Sequence, residues 1–223
     1  MPVDIEKNLE IVNGRIFNAC KRSGRNTADV TLVAVTKGVC AADIRRAYEL
    51  GIRNFGENRV QEAERKMEEL HSISPGICWH MIGHLQSNKA RLAARLFGII
   101  QSVDTLKLAE ILDQEACNMP VLLEVNVSGE KTKSGFKEMD LSQVLRAIKD
   151  MKNLSVTGLM TVAPATEHAE DVRPVFRRLR DLAGQLGLKQ LSMGMTDDFE
   201  VAIEEGATLI RLGRAIFGER RIE

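Results

Sequence analysis

The sequence predicts an α/β protein folded as a single-domain (β/α)8 TIM barrel, preceded by an N-terminal helix. Two observations lead there. The hydrophobic period switches repeatedly between strand and helix values, and eight strand segments are each followed by a helical one, at about 25 residues per unit. No Pro/Gly/Ser linker and no internal repeat divides the 223 residues. An open doubly wound sheet gives the same alternation with fewer strands and stands as the alternative. The reading places the N-terminal helix at 1–24, the barrel at about 30–218, and all of 1–223 in one domain.

In the first segment Ile5, Leu9, Val12, Ile16 and Cys20 recur at helical spacing, and Gly24 follows as a C-terminal stop. Thr31–Thr36 is short and β-branched, a strand, and precedes a helix from about Asp43 to Leu50. Ile52–Phe55 leads to a helix bearing Val60, Ala63, Met67 and Leu70. Trp79–Ile82 leads to a helix that Ser87 is expected to cap. Ile99–Val103 leads to a helix opened by Thr105. Val121–Val127 precedes a helix from Asp140, and Val156–Val162 precedes one carrying Phe176, Leu179 and Leu182. Gln190–Met193 leads to a helix with Phe199 and Ile203, and Leu209–Leu212 to a last short helical stretch. In the fifth strand Val121, Leu123 and Val125 face one way, while Leu122, Glu124 and Asn126 face the other. The polar face suits a barrel interior opening toward a ligand, or the wet face of an edge strand.

Lys plus Arg balances Asp plus Glu at 31 each, so the chain carries no long-range field for nucleic acid or an anionic membrane. Acidic residues interrupt the first turns where a targeting signal would sit, and no apolar run reaches the ~20 residues that cross a bilayer. The four cysteines form no C-x-x-C pair and read as reduced thiols, mostly core filler, in a cytoplasmic protein. His80 and His84 share a strand face without any metal-binding pattern around them, so no metal is expected.

Ligand groups in such barrels gather where strands end. Lys37 continues the Val33–Val35 face at the end of the first strand. An amine there loses water and becomes a better carbonyl nucleophile, although a lysine after a strand is most often simply solvated. Ser192-Met-Gly-Met-Thr196 reads either as an anion cup or as a plain Thr196 N-cap followed by Asp197 and Asp198. Arg211 suits phosphate, a carboxylate or a ring nitrogen, or else an inward carboxylate such as Glu124.

Local strings narrow this further. Leu32-Val-Ala-Val-Thr-Lys37, Gly56-Glu-Asn-Arg-Val-Gln-Glu62, Trp79 to Lys89, Lys133-Ser-Gly135, Gly158 to Pro164, Leu191 to Glu200 and Ile210 to Gly218 follow in order over most of the chain. Together they resemble the pyridoxal phosphate homeostasis family, with Arg59 where an aromatic is common and Thr196 where serine often occurs. The resemblance implies a barrel like the N-terminal domain of alanine racemase, with pyridoxal 5'-phosphate (PLP) held as a Schiff base on Lys37. It implies Arg211 beside the pyridine nitrogen, Ser192, Thr196, Gly213 and Arg214 around the phosphate, and Asn58 near the ring. The implied role is a non-catalytic, monomeric carrier and buffer of PLP, with apo PLP-dependent enzymes as recipients. The alternative is a fold-type III PLP enzyme such as an amino-acid racemase.

Overall fold

The computed structural model describes residues 3–130 and 132–219. The single-domain reading also includes residues 1, 2, 131 and 220–223, which lie outside the described residues. Eight parallel strands pair in chain order and close on themselves, the first hydrogen-bonding the eighth. They are β1 (Thr31–Val35), β2 (Asn54–Glu57), β3 (Cys78–Met81), β4 (Ile99–Val103), β5 (Met119–Glu124), β6 (Leu154–Met160), β7 (Gln190–Ser192) and β8 (Leu209–Leu212). After α1 (Ile5–Ser23), the helices that follow β1 to β4 are α2 (Ala41–Glu49), α3 (Val60–Glu69), α4 (Ala90–Leu96) and α5 (Leu106–Glu115). Those that follow β5 to β8 are α6 (Leu141–Lys149), α7 (Arg173–Gln185), α8 (Phe199–Glu204) and α9 (Arg214–Phe217).

The N-terminal helix has a structural task. With 6 and 4 residues, α8 and α9 are too short to cover the barrel wall behind them. The 19-residue α1 packs against both and buries Ile5, Leu9, Val12, Ile16, Ala19 and Cys20. Asp4 caps its start by accepting from the Lys7 amide at 3.0 Å, and Gly24 closes it in the left-handed conformation. Thr105 caps α5 as expected, accepting from Leu108 N.

Several local expectations change. Ser87 begins a 3-10 turn rather than capping α4, which has no side-chain cap. Thr196 is likewise no N-cap, because α8 starts only at Phe199 and the side chain that closes its entry turn is Asp198, accepting from Met195 N at 2.6 Å. The fifth strand ends at Glu124, since the Asn126 amide turns away to Phe136 O. Of the four thiols only Cys20 is buried, so core filling accounts for one of them.

Strand parity sorts the core into two parts. Outward-facing residues, including Phe55 and Trp79 with ring centroids 5.7 Å apart, pack under the helices. Val33, Ile99, Leu122, Met160 and Leu209 form a separate apolar cluster inside the barrel. Two residues further along the strands the interior turns polar: Ile99 gives way to Gln101, Leu122 to Glu124, Leu209 to Arg211. His80, Gln101, Ser192 and Arg211 are buried in this layer, so these groups must satisfy one another. Gln101 Nε2 donates to His80 Nδ1 at 2.7 Å, which leaves His80 Nε2–H to donate to Asn54 Oδ1 at 3.0 Å. The imidazole is therefore neutral, and burial pulls it from its ordinary 6.5 down to about 4.

A depressed histidine stabilises the fold fully above its unfolded value and loses that contribution as pH falls through the folded one. The window is therefore about pH 6.5 to 4, and the full effect is about 3 kcal/mol at 1.36 kcal/mol per unit. Urea denaturation across that window should show the wild type losing about that much more stability than His80→Gln. Parallel losses in the two proteins would remove His80 as the cause.

Candidate functional site

The C-terminal ends of the strands bring the proposed site residues to one rim. Lys37 stands one residue past Thr36, on the inward parity of Val33 and Val35. It is half-buried and lines a cavity of about 420 Å³ with Asn58, Arg59, Met81, His84 and Lys89 among others. Its amine is free of partners among the described residues.

The backbone that carries Lys37 is held firmly. Thr36 O accepts from Lys66 Nζ at 2.5 Å and from Val39 N at 2.8 Å. Gly38 N donates to Glu62 Oε1 at 2.7 Å. Lys66 also donates to Glu57 Oε1 at 2.7 Å and Glu62 Oε1 at 2.6 Å, and Thr36 Oγ1 donates to Glu57 Oε1 at 2.6 Å. Glu57 is wholly buried and its other oxygen has no partner, so desolvation raises its carboxyl despite the ammonium beside it.

Across the rim, Arg211 extends the interior polar layer. Its Nη1 donates to Ser192 Oγ at 2.5 Å and its Nη2 to Thr161 O at 2.8 Å. Ser192 Oγ donates onward to Gln101 Oε1 at 2.6 Å. One chain of hydrogen bonds thus runs from Thr161 through Arg211, Ser192, Gln101 and His80 to Asn54. Desolvation lowers the guanidinium to about 10, so it stays cationic at neutral pH. Its expected alternative partner, Glu124, forms no ion pair with it among the described residues and acts on it only at longer range.

In the Ser192–Thr196 segment, Ser192 is fully buried and its hydroxyl donates to Gln101 Oε1. The free donors are main-chain ones: the amides of Gly194, Gly213 and Arg214 have no acceptor among the described residues. Gly194 sits at φ +92, and a Cβ there would lie 2.5 Å from the Ala202 methyl, so only glycine fits. Thr196 is half-buried beside it. The Arg214 guanidinium turns outward to Asp197 at 2.5 and 2.6 Å, leaving its backbone as the part directed to the site.

Asn58, the first residue after β2, is half-buried with an unpartnered, buried Oδ1. His84 pairs with Asp104 at 2.9 Å at the mouth. Glu124 lies at the end of β5, four strands from β1 in either direction around the barrel. Burial, then Asp104, raise it to about 7. Sequence reasoning did not single out Gln101, Asn54, Glu62 or Lys66. The signal available for Gln101 was its inward parity in a mostly apolar strand. Among the described residues no group of three or more His, Cys, Asp or Glu is arranged to hold a metal ion, and no helix is long and apolar enough to cross a membrane.

Comparison with known proteins agrees with this architecture. The family described as alanine racemase, N-terminal domain, matches residues 17–221. A pyridoxal phosphate homeostasis protein of Pseudomonas aeruginosa is 45% identical over 222 residues, covering 97% of this chain and 96% of that one. Its counterpart in Aquifex aeolicus is 42% identical over 225 residues, covering 96% and 98%. The solved structure of PipY from Synechococcus elongatus with PLP bound has a TM-score of 0.84 at 37% identity, covering 96% of this chain and 100% of that one. This chain belongs to the pyridoxal phosphate homeostasis family, which carries the alanine racemase N-terminal-domain barrel.

Proposed function

We propose that this protein binds PLP at the barrel mouth as a Schiff base on Lys37. In this reading it acts in the cytoplasm as a monomeric, one-domain carrier and buffer of PLP, supplying apo PLP-dependent enzymes and affecting amino-acid and keto-acid metabolism indirectly. The observation that carries the reading is the placement of the Lys37 amine, without a partner among the described residues, at the end of β1 on a rim that also offers unfilled main-chain donors after β7 and β8. The homeostasis-protein relatives and the PLP-bound relative support the same assignment.

The residues present fit the group. Lys37 and Asn58 line a cavity of about 420 Å³, within the usual size of a cofactor site, while Arg211, Gly194 and Gly213 lie outside its lining. The Gly194, Thr196, Gly213 and Arg214 backbone suits a phosphate, which main-chain amides bind well. Asn58 brings an orphaned carbonyl oxygen that a ligand donor near the ring would satisfy. When bound, PLP supplies an aldehyde carbon for the lysine and a conjugated ring. Arg211 would offer the ring nitrogen donors and no acceptor, so that nitrogen would stay unprotonated and the ring would be a weak electron sink. Ser192, expected near the phosphate, also accepts from Arg211 and so helps to hold it.

One observation favours the alternative, a fold-type III enzyme such as an amino-acid racemase. Racemisation needs a second proton-transfer group facing the lysine, and Glu124, on the strand opposite β1 and raised to about 7 by burial, is a candidate for it, although it lies outside the lining of the Lys37 cavity. Tyr48 does not serve: it packs outside the barrel, with Arg53 over its ring at 4.0 Å.

Three measurements decide between these readings. The purified protein should show the visible band of a Schiff base, Lys37→Ala should abolish it, and borohydride should fix the cofactor on the peptide carrying Lys37; label on Lys89 or Lys133 would sink the assignment. Gly213→Val places a Cβ 3.2 Å from Val35 O and should displace the amides that follow. It should weaken PLP roughly tenfold or more, as loss of charge-assisted bonds does, and leave unphosphorylated pyridoxal nearly unchanged. Equal losses for the two ligands would place the phosphate elsewhere. Finally, loaded protein in deuterated water should exchange no amino-acid α-proton faster than free PLP. Exchange that disappears in both Lys37→Ala and Glu124→Gln would establish the enzyme instead.

A further inference from the structure

Both peptide groups that flank Lys37 are held by side chains from a single turn of α3. The carbonyl before it accepts from Lys66 Nζ, and the amide after it donates to Glu62 Oε1. Glu62 and Lys66 stand four residues apart on one helix face and bond each other at 2.6 Å. Lys66 is buried and Glu62 nearly so, with side-chain exposures of 10% and 18%. Glu57 completes the cluster from β2, bonding both Lys66 and the Thr36 hydroxyl. A surface ion pair would have little effect, but this one is shielded and every bond in it is charge-assisted. Nothing in the cluster touches the Lys37 side chain itself, whose amine stays free at the mouth.

We propose that Glu62 and Lys66, anchored by Glu57, are positioning residues that fix the Thr36–Gly38 backbone so that the Lys37 amine is aimed at the aldehyde of its ligand. The proposal rests on the reading of Lys37 as the Schiff-base lysine. In the step it serves, the unprotonated amine adds to the aldehyde carbon, a carbon–nitrogen double bond forms, and the aldehyde oxygen leaves as water. Misaiming the backbone by an ångström penalises that bond and leaves the noncovalent grip on ring and phosphate as it was.

Two ligands separate these effects. PLP forms the Schiff base; pyridoxine 5'-phosphate has the same ring and phosphate but an alcohol in place of the aldehyde. Glu62→Ala removes the hold on Gly38 from a partly exposed position, and Glu62→Gln retains an oxygen for that amide. Lys66→Met leaves Glu57 buried without its cation, so the double variant Glu57→Met/Lys66→Met, which removes both buried charges, guards against a folding failure. In wild type and variants, the Schiff-base band is titrated with PLP, and pyridoxine 5'-phosphate is titrated by competition or calorimetry.

The expected result is a loss of about tenfold or more in PLP affinity for Glu62→Ala and the double variant. Glu62→Gln should fall between Glu62→Ala and wild type, and pyridoxine 5'-phosphate affinity should stay within about twofold throughout. Equal weakening of both ligands would show only general damage to the mouth and overturn the proposal, as would unchanged PLP affinity in folded variants. A wild type that shows its band on Lys37 while the variants behave in these ways overturns the clamp alone. A wild type without that band overturns the Lys37 reading, and the clamp with it.

Discussion

A guanidinium inside a closed barrel has to be satisfied by the barrel, and the arrangement of the mouth follows from that constraint. Arg211 is only 4% exposed. Leaving such a charge without partners costs about 3–5 kcal/mol, a large part of a typical fold's net stability. Ser192 and the Thr161 carbonyl each take up one of its donors, and Ser192 then needs an acceptor of its own, which Gln101 provides. Gln101 in turn fixes the tautomer of His80. The polar layer is therefore a single connected object, from β6 and β8 round to β2, with a defined direction of donation. Everything nearer the solvent, including Lys37 and the amides of Gly194 and Gly213, stands on this layer.

How much of this was legible in the sequence depended on whether a residue's role is set by strand parity or by a partner distant in sequence. Parity alone places Lys37 above Val33 and Val35, Glu124 above Leu122 and Arg211 above Leu209, and all three face the interior or its rim. The eight strand–helix units and the extent of α1 were readable for the same reason. Gln101 was not, because one amide in Ile99-Ile-Gln-Ser-Val103 looks like a polar interruption until β7 brings Ser192 against it. Lys66 was equally hidden: Glu62 and Lys66 form an ordinary helix-surface pair in sequence, and only closure of α3 over β1 and β2 buries them. For Ser192 the sequence shows the place at the end of β7, and only the fold shows that its hydroxyl donates to Gln101.

The opposite side of the helical ring is organised by charge in a different way. Glu205, itself buried, receives Arg173, Arg177 and Arg180, and Glu204 receives Arg22 and Arg173. These carboxyls lie below their ordinary range because of those arginines, although burial alone would raise them. They tie α8 to α7 and α1, and so hold the short α8 behind β7 and β8. The main-chain donors at the mouth thus depend on ion pairs formed at the far end of the same helix.

A lysine whose flanking peptides are both pinned while its amine is untethered has an entropic consequence. Freezing a flexible loop costs about 1–2 kcal/mol for each residue ordered, whereas a lysine side chain carries about 2 kcal/mol of rotamer freedom in all. On the proposed reading, covalent capture at Lys37 would immobilise little beyond four side-chain torsions, a penalty of about thirtyfold in affinity rather than the several thousandfold that a mobile three-residue segment would add. The scaffold would have absorbed most of the ordering during folding, leaving the strength of such capture to the bond and its immediate surroundings.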